Sequence, residues 1–194
     1  MARPSKFSAD GILDAAAEAL LEHGRQVSIA QIAAAAHAPT GSVYHRFDSR
    51  EELLIRLWLR SIKGFQAHFI RACTDPDPHR AVVQAALSIP DYCREHPARA
   101  NAMRLYRRIE LLDAAPAGLL ERVETLNDEI DAVCEELGRR RYPRLDERRR
   151  ALLSTAVRLS PYGLVRPFIG GPIPAWLDDA VAASTRAIAA LGDE

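Results

Sequence analysis

From Ile12 to Leu191 the apolar residues recur at steps of three and four, in Ala-rich and Leu-rich stretches, and alternating runs of Val, Ile, Thr and aromatic residues are absent. A period near 3.6 gathers such residues on one face of a helix, whereas only strict alternation gathers them on one face of a strand. The chain is therefore expected to be all-α, with about nine helices by its start and stop signals. At 194 residues and 48% hydrophobic it can bury a full core, enough for one large domain or two small ones.

The first quarter carries the most closely spaced signals. A helix is expected from Ser8 to Gly24, where a glycine can take the left-handed conformation that ends helices. In VSIAQI, Ser28 and Gln31 form a capping box, and Val27 can pack on Ile32 as a staple. The helix that starts there must stop near Ala36 and His37, because Pro39 and Gly41 interrupt the pattern before SVYHRF resumes it. Asp48 and Ser49 then offer caps, with Glu52 completing a box, and Leu54, Trp58, Phe65 and Phe69 mark a long fourth helix.

Two short helices joined by a tight turn form a stable module only with a third, and the second short helix of such a module can enter a major groove. Val43 and Phe47 would face Ile32 and Ala36, leaving Thr40, Ser42, Tyr44 and His45 on the outside. Gly41 removes bulk so that the backbone can approach DNA, Tyr44 can donate to a phosphate, and Arg46 and Arg50 add local charge. Base reading would fall to Thr40, Ser42 and His45. Lys and Arg total 26 and so do Asp and Glu, so no chain-wide field draws in polyanions, and any nucleic-acid binding must come from such a local, shaped site.

The segment VSIAQIAAAAHAPTGSVYHRFDSREELL resembles the TetR family of bacterial transcriptional regulators in its order of cap, Ile-Ala, short turn, small-residue recognition helix, Tyr, Phe, cap and Glu-Glu-Leu. The likeness is close over roughly residues 8 to 60 and looser beyond. It implies base contacts from Thr40, Gly41 and Ser42, phosphate or groove contacts from Tyr44 and His45, and backbone contacts from Ser28 and Arg50. His37 stands where the family usually has glycine, and Ala30 where several members place a polar or basic base-reading side chain. The family further implies a DNA-binding domain over residues 1–48, a helical domain over 49–194 that binds a small-molecule effector and dimerises, and a connecting helix over about 49–72. The expected function is that of a regulator, a repressor in the first instance, bound to a palindromic operator as a homodimer and released by its ligand.

Past residue 70 the sequence speaks of architecture. TDPDPHR is a turn, Pro78 opens a helix through Leu87, DYCREHP is a further segment, and helices are expected over Ala98–Leu112 and from AAPAG to Arg139. Leu119, Val123, Leu126, Ile130, Val133 and Leu137 form a seam in that last helix, read as core; an all-α interaction module using this seam without DNA is the alternative function. The resemblance implies dimerisation through the last two helices, over residues 149–160 and 175–191, and so places the contact on Leu152, Ala156, Leu159, Leu177, Val181, Ser184 and Ile188, beside a thin face of Ala180, Ala183, Ala187 and Ala190. Candidate effector contacts are Trp58, Phe65, Phe69, Tyr106, Tyr162 and Phe168, with Arg104 or Arg166 as an anionic anchor. RRRYPRLDERRR reads as charged helix ends, and Gly170, Gly171 and Pro172 as a turn.

No GxSxG elbow, HExxH helix or CxxC pair is present, so neither an enzyme nor a cofactor is expected, and Cys93 with His96 makes at most half a metal site. Cys73, Cys93 and Cys134 suit reduced core thiols, and no stretch has the apolar run of a leader or membrane span, which points to a cytoplasmic protein without membrane partners.

Overall fold

A computed structural model of the chain describes residues 7–194, all helix, turn and loop with no strand among them. The N-terminal MARPSK, read above as lacking a leader's apolar core, lies outside the described residues. Among those described, no helix is long and apolar enough to cross a membrane.

Helix α1 spans Ala9–His23; the Ser8 hydroxyl accepts from the Gly11 N–H at 3.0 Å, and Gly24 at φ 69° closes it. Helix α2, Ile29–Ala35, carries the expected capping box, with Ser28 and Gln31 exchanging hydrogen bonds of 2.7 and 3.2 Å. The turn that follows is a Schellman motif. The Ala38 N–H donates to the Ala33 carbonyl and the His37 N–H to that of Ala34, so His37 takes φ 50° where a glycine would be unstrained. Helix α3, Thr40–Tyr44, then leads through Asp48 to α4, Arg50–Ala72. Ser49 caps α4 through the Glu52 N–H, while the Glu52 carboxylate takes the Asp48 N–H at 2.7 Å and an ion pair to Arg56 at 2.6 Å.

Later elements depart from the expected bounds, each for a physical reason. Helix α5 runs unbroken over Pro78–Glu95, joining two expected segments across Pro90, and Ile89, Pro90 and Tyr92 are all buried, so packing on this face offsets the helix bond that proline cannot make. The helix expected over Ala98–Leu112 is two, α6 (Pro97–Ala102) and α7 (Arg108–Ala114). The long helix expected up to Arg139 is also two, α8 (Ala117–Glu124) and α9 (Asp128–Arg141). The broken ends are capped from elsewhere: Arg108 donates to the carbonyls of Val123 and Glu124, and the Gln66 amide to that of Leu126. Helix α10 (Glu147–Ser154) passes through one π turn, Thr155–Leu159, into α11 (Ser160–Val165), and α12 spans Trp176–Ala190 after a turn at Gly170, φ 92°.

The chain packs as two compact units. One holds the chain up to Ile62 with Ala98–Glu124; Ile12, Leu20, Val27, Ile32, Val43, Phe47 and Leu53 form its core, and the Trp58 indole donates to the Met103 carbonyl at 3.1 Å. The other holds Lys63–Pro97 with Thr125–Glu194, around Phe69, Val82, Tyr92, Ile130, Leu137, Tyr142, Leu153 and Val157.

Candidate nucleic-acid interface

Helix α3 is fixed by its inner face. Val43 and Phe47 are fully buried with Ile32, and the Arg56 guanidinium lies 5.9 Å from the Phe47 ring. The Arg46 guanidinium donates to the Ser42 carbonyl at 2.8 Å. Arg50, expected to touch a DNA backbone, reaches inward with two of its nitrogens, donating to the Val27 carbonyl at 2.7 Å and to that of Arg25. It thereby clamps the entry of α2 to the start of α4.

The outer face of α3 is idle within the chain. Thr40, Gly41, Tyr44 and His45 are exposed, Ser42 is half-buried, and Tyr44 keeps 56% of its surface open to solvent. A Cβ placed on Gly41 would meet nothing within 4 Å, so nothing in the fold calls for a glycine there. Ser28 is exposed too, but its hydroxyl is engaged with Gln31. Ala36, expected in the core, is half-buried, and Ala30 is exposed.

Four expectations need correcting or relocating. The 119–137 seam does not offer a partner surface: Leu119, Val123, Leu126, Ile130 and Leu137 are buried and Val133 packs on the core. Of the arginines of residues 139–150, five are tied down: Arg139 and Arg150 pair with Glu135, Arg140 donates to the carbonyls of Cys73 and Asp75, Arg141 grips Asp193 with two bonds of 2.6 and 2.8 Å, and Arg149 donates to Asp146 and the Gly192 carbonyl. Of the expected dimer residues, Ala156, Leu177 and Val181 are buried inside the chain and cannot meet a partner; Leu152, Ser184 and Ile188 are half-buried, and Leu159 is 64% exposed. The candidate effector residues do not form one group: Trp58 pairs with Tyr106, Phe65 with Phe69 and Tyr92, and Phe168 with Trp176, while Tyr162, Arg104 and Arg166 are exposed.

Sequence patterning overlooked a second feature of note, Gln66. It is 2% exposed, and its Oε1 has no hydrogen-bond partner. Its place beside Phe65 and within one turn of Phe69 and Ile70 is the signal that marks it. Among the described residues no cluster of His, Cys, Asp and Glu could hold a metal ion; His96 stacks edge-on against Tyr92 at 4.8 Å and Cys93 is buried. Burial pushes the thiols of Cys73 and Cys93 up to about 12 and about 11.

Residues 12–57, which span α1 through the first part of α4, match the family model of the bacterial regulatory proteins, tetR family. No curated protein matches the sequence. Among solved structures, a TetR-like transcriptional regulator from Rhodococcus sp. RHA1 superposes with a TM-score of 0.68 at 20% identity, over 98% of either chain. The fatty acid degradation regulator FadR from Bacillus halodurans gives 0.70 at 18% identity over 97% of each, and the ketosteroid transcriptional regulator KstR2 of Mycobacterium tuberculosis 0.66 at 18% identity, over 97% of this chain and 95% of that one. The helix-turn-helix segment thus matches the tetR family model by sequence, and the whole chain shares the fold of these regulators.

Proposed function

We propose that residues 1–48 form a DNA-reading domain, that residues 49–194 form a dimerising, effector-binding domain, and that the protein represses transcription from a palindromic operator. The observation that carries the DNA reading is the contrast between the two faces of α3: one is locked into the core, and the other presents Thr40, Gly41, Tyr44 and His45 without an intramolecular task. On this reading Thr40 and Ser42 contact base edges, Tyr44 and His45 hold phosphates or the groove wall, and Ser28 and the remaining nitrogen of Arg50 meet the backbone. Exposed Arg25 and the uncharged polar groups of α3 keep the contact local, in keeping with a chain of zero formal charge.

One such helix spans few base pairs, and a dyad-related pair spans half-sites about 34 to 36 Å apart. The thin alanine face of α12 is the surface left open for that pairing: Ala183 and Ala187 are exposed, and Trp176, Leu191, Leu159 and Tyr162 are exposed apolar side chains of α12, its end, and the π turn with α11. For an effector, the orphaned Gln66 acceptor supports a ligand bearing a hydroxyl or N–H donor, because an unmet buried acceptor costs about 1–3 kcal/mol that such a ligand would recover. Helix α4 carries Gln66 in the same unbroken helix that Arg50 begins, so a shift at one end is felt at the other; release requires only that ligand bind the non-DNA state more tightly.

The deciding experiment is a selection of random DNA duplexes on the purified protein at moderate salt. An inverted repeat is expected, and Tyr44→Phe should weaken retention of all sequences alike while Ser42→Ala changes the preferred bases. Retention without any enriched motif would reject the reading.

A further inference from the structure

Outside the regions considered so far, the second unit has a surface cleft of about 420 Å³ between the start of α5, the end of α9 and the last turns of α12. None of the aromatic residues expected to hold an effector lines it. Its walls are apolar, from Val82, Val83, Ala189 and Ala190, and its charged groups are His79, Arg80, Arg141, Arg186 and Asp193.

The charges do not balance. Arg141, only 5% exposed, is held by both carboxylate oxygens of Asp193 and lies over the Tyr142 ring at 4.7 Å, so that pair is closed on itself. Arg80 is answered by Asp75 at 3.2 Å and Asp77 at 3.7 Å. Arg186 has no acidic partner and no hydrogen bond among the described residues, although it stands on the same flank of α12 as Ala189, Ala190 and Asp193. The alanine face proposed for dimer pairing adjoins this flank of α12, since Ala183 and Ala190 lie three and four residues from Arg186, and Ala190 borders both.

We propose that this cleft binds a small amphipathic monoanion, with Arg186 pairing its carboxylate and Val82, Val83, Ala189 and Ala190 covering its apolar part. An arginine fork is matched to a carboxylate by two parallel N–H bonds, and one uncompensated cation calls for one negative charge. The volume admits roughly a dozen non-hydrogen atoms at about 30 Å³ each, the room a water takes in the liquid, and falls in the ordinary range of ligand pockets. Acid groups elsewhere do not compete, since Asp193 is already bound by Arg141, which holds its carboxyl below the usual range. This site is independent of the DNA-reading face, and it stands or falls without it.

The test is calorimetric titration of the full-length protein with octanoate, 1-octanol and octylamine, three probes alike in chain and different in charge. Octanoate should bind at least tenfold more tightly than octanol, with octylamine weakest. Arg186→Glu should reverse the order of octanoate and octylamine, and Arg186→Gln should bring octanoate down to the octanol level; the side chain is exposed, so both variants should keep the native circular dichroism and melting temperature. Val83→Trp, which fills the cleft, should abolish binding of all three. Equal binding of octanoate and octanol, or octanoate affinity that survives Arg186→Glu, would overturn the proposal, as would the absence of any heat with octanoate below its micelle concentration.

Discussion

Gly41 and His37 hold opposite positions in the economy of the turn. Gly41 sits in a helix with open space around its Cα, where an alanine would gain up to about 1 kcal/mol of stability, so its reason lies outside the chain. Gly41→Ala is thus expected to melt higher by differential scanning calorimetry and to bind the selected operator less tightly; a variant that melts lower would show that the fold does need the glycine. His37 carries left-handed backbone at a cost of order 1 kcal/mol, and His37→Gly should recover up to about that amount, read from urea denaturation at constant slope. The buried thiols give a third check at this scale. With Cys73 and Cys93 pushed up to about 12 and about 11, neither should react with a thiol reagent at pH 8 until the protein unfolds.

The stretch from Glu147 to Val165 shows how an element accommodates a misplaced residue. Pro161 has no N–H to give the Ala156 carbonyl, and the Ser160 N–H turns back one residue further, to Thr155, which makes the π turn. The Ala156 carbonyl is met instead from the neighbouring helix, by the fully buried Thr185 hydroxyl at 3.1 Å. Thr185→Val keeps the shape and removes the donor, so it should cost about 1–3 kcal/mol by urea denaturation, and a loss below about 0.5 kcal/mol would mean that the carbonyl finds another partner. On α12 the expected dimer stripe and the thin alanine face exchange roles: Leu177 and Val181 hold the protomer together, and Ala183 and Ala187 face out. Ala183→Asp or Ala187→Asp should yield folded monomers by light scattering, whereas Val181→Asp should not fold; a stable Ala187→Asp dimer would move the interface elsewhere.

Across the whole molecule, ion pairs join segments distant in the chain, among them Arg94 with Asp178 and Arg141 with Asp193. Asp193 titrates below its ordinary range chiefly because Arg141 donates to it. Its unfolded pKa is about 3.9, so the folded state binds fewer protons there, and the stability it contributes is present above about pH 4 and lost as pH falls through the lower folded value. Asp193→Asn should therefore flatten the acid limb of the melting temperature below about pH 4 and leave the neutral plateau only lowered. An unchanged acid limb would assign that limb to Asp75, Asp146 and Glu135, which are depressed by their own backbone or arginine partners.

Local chemistry explains what could be read from the sequence. The caps at Ser8, Ser28 and Ser49, the left-handed His37 and the inward Val43 and Phe47 depend on residues within a few positions of each other, and local hydrogen bonding and periodicity suffice to place them. The helix breaks near Met103 and Leu126, the inward turn of Arg50, the π turn at Pro161 and the flank of α12 that faces out depend on partners 15 to 60 residues away. A period of 3.6 says that a helix has an apolar stripe, but two stripes on one alanine-rich helix look equally fit for burial. Which of them faces solvent is decided by the helix that arrives to cover the other, and that choice exists only in the tertiary structure.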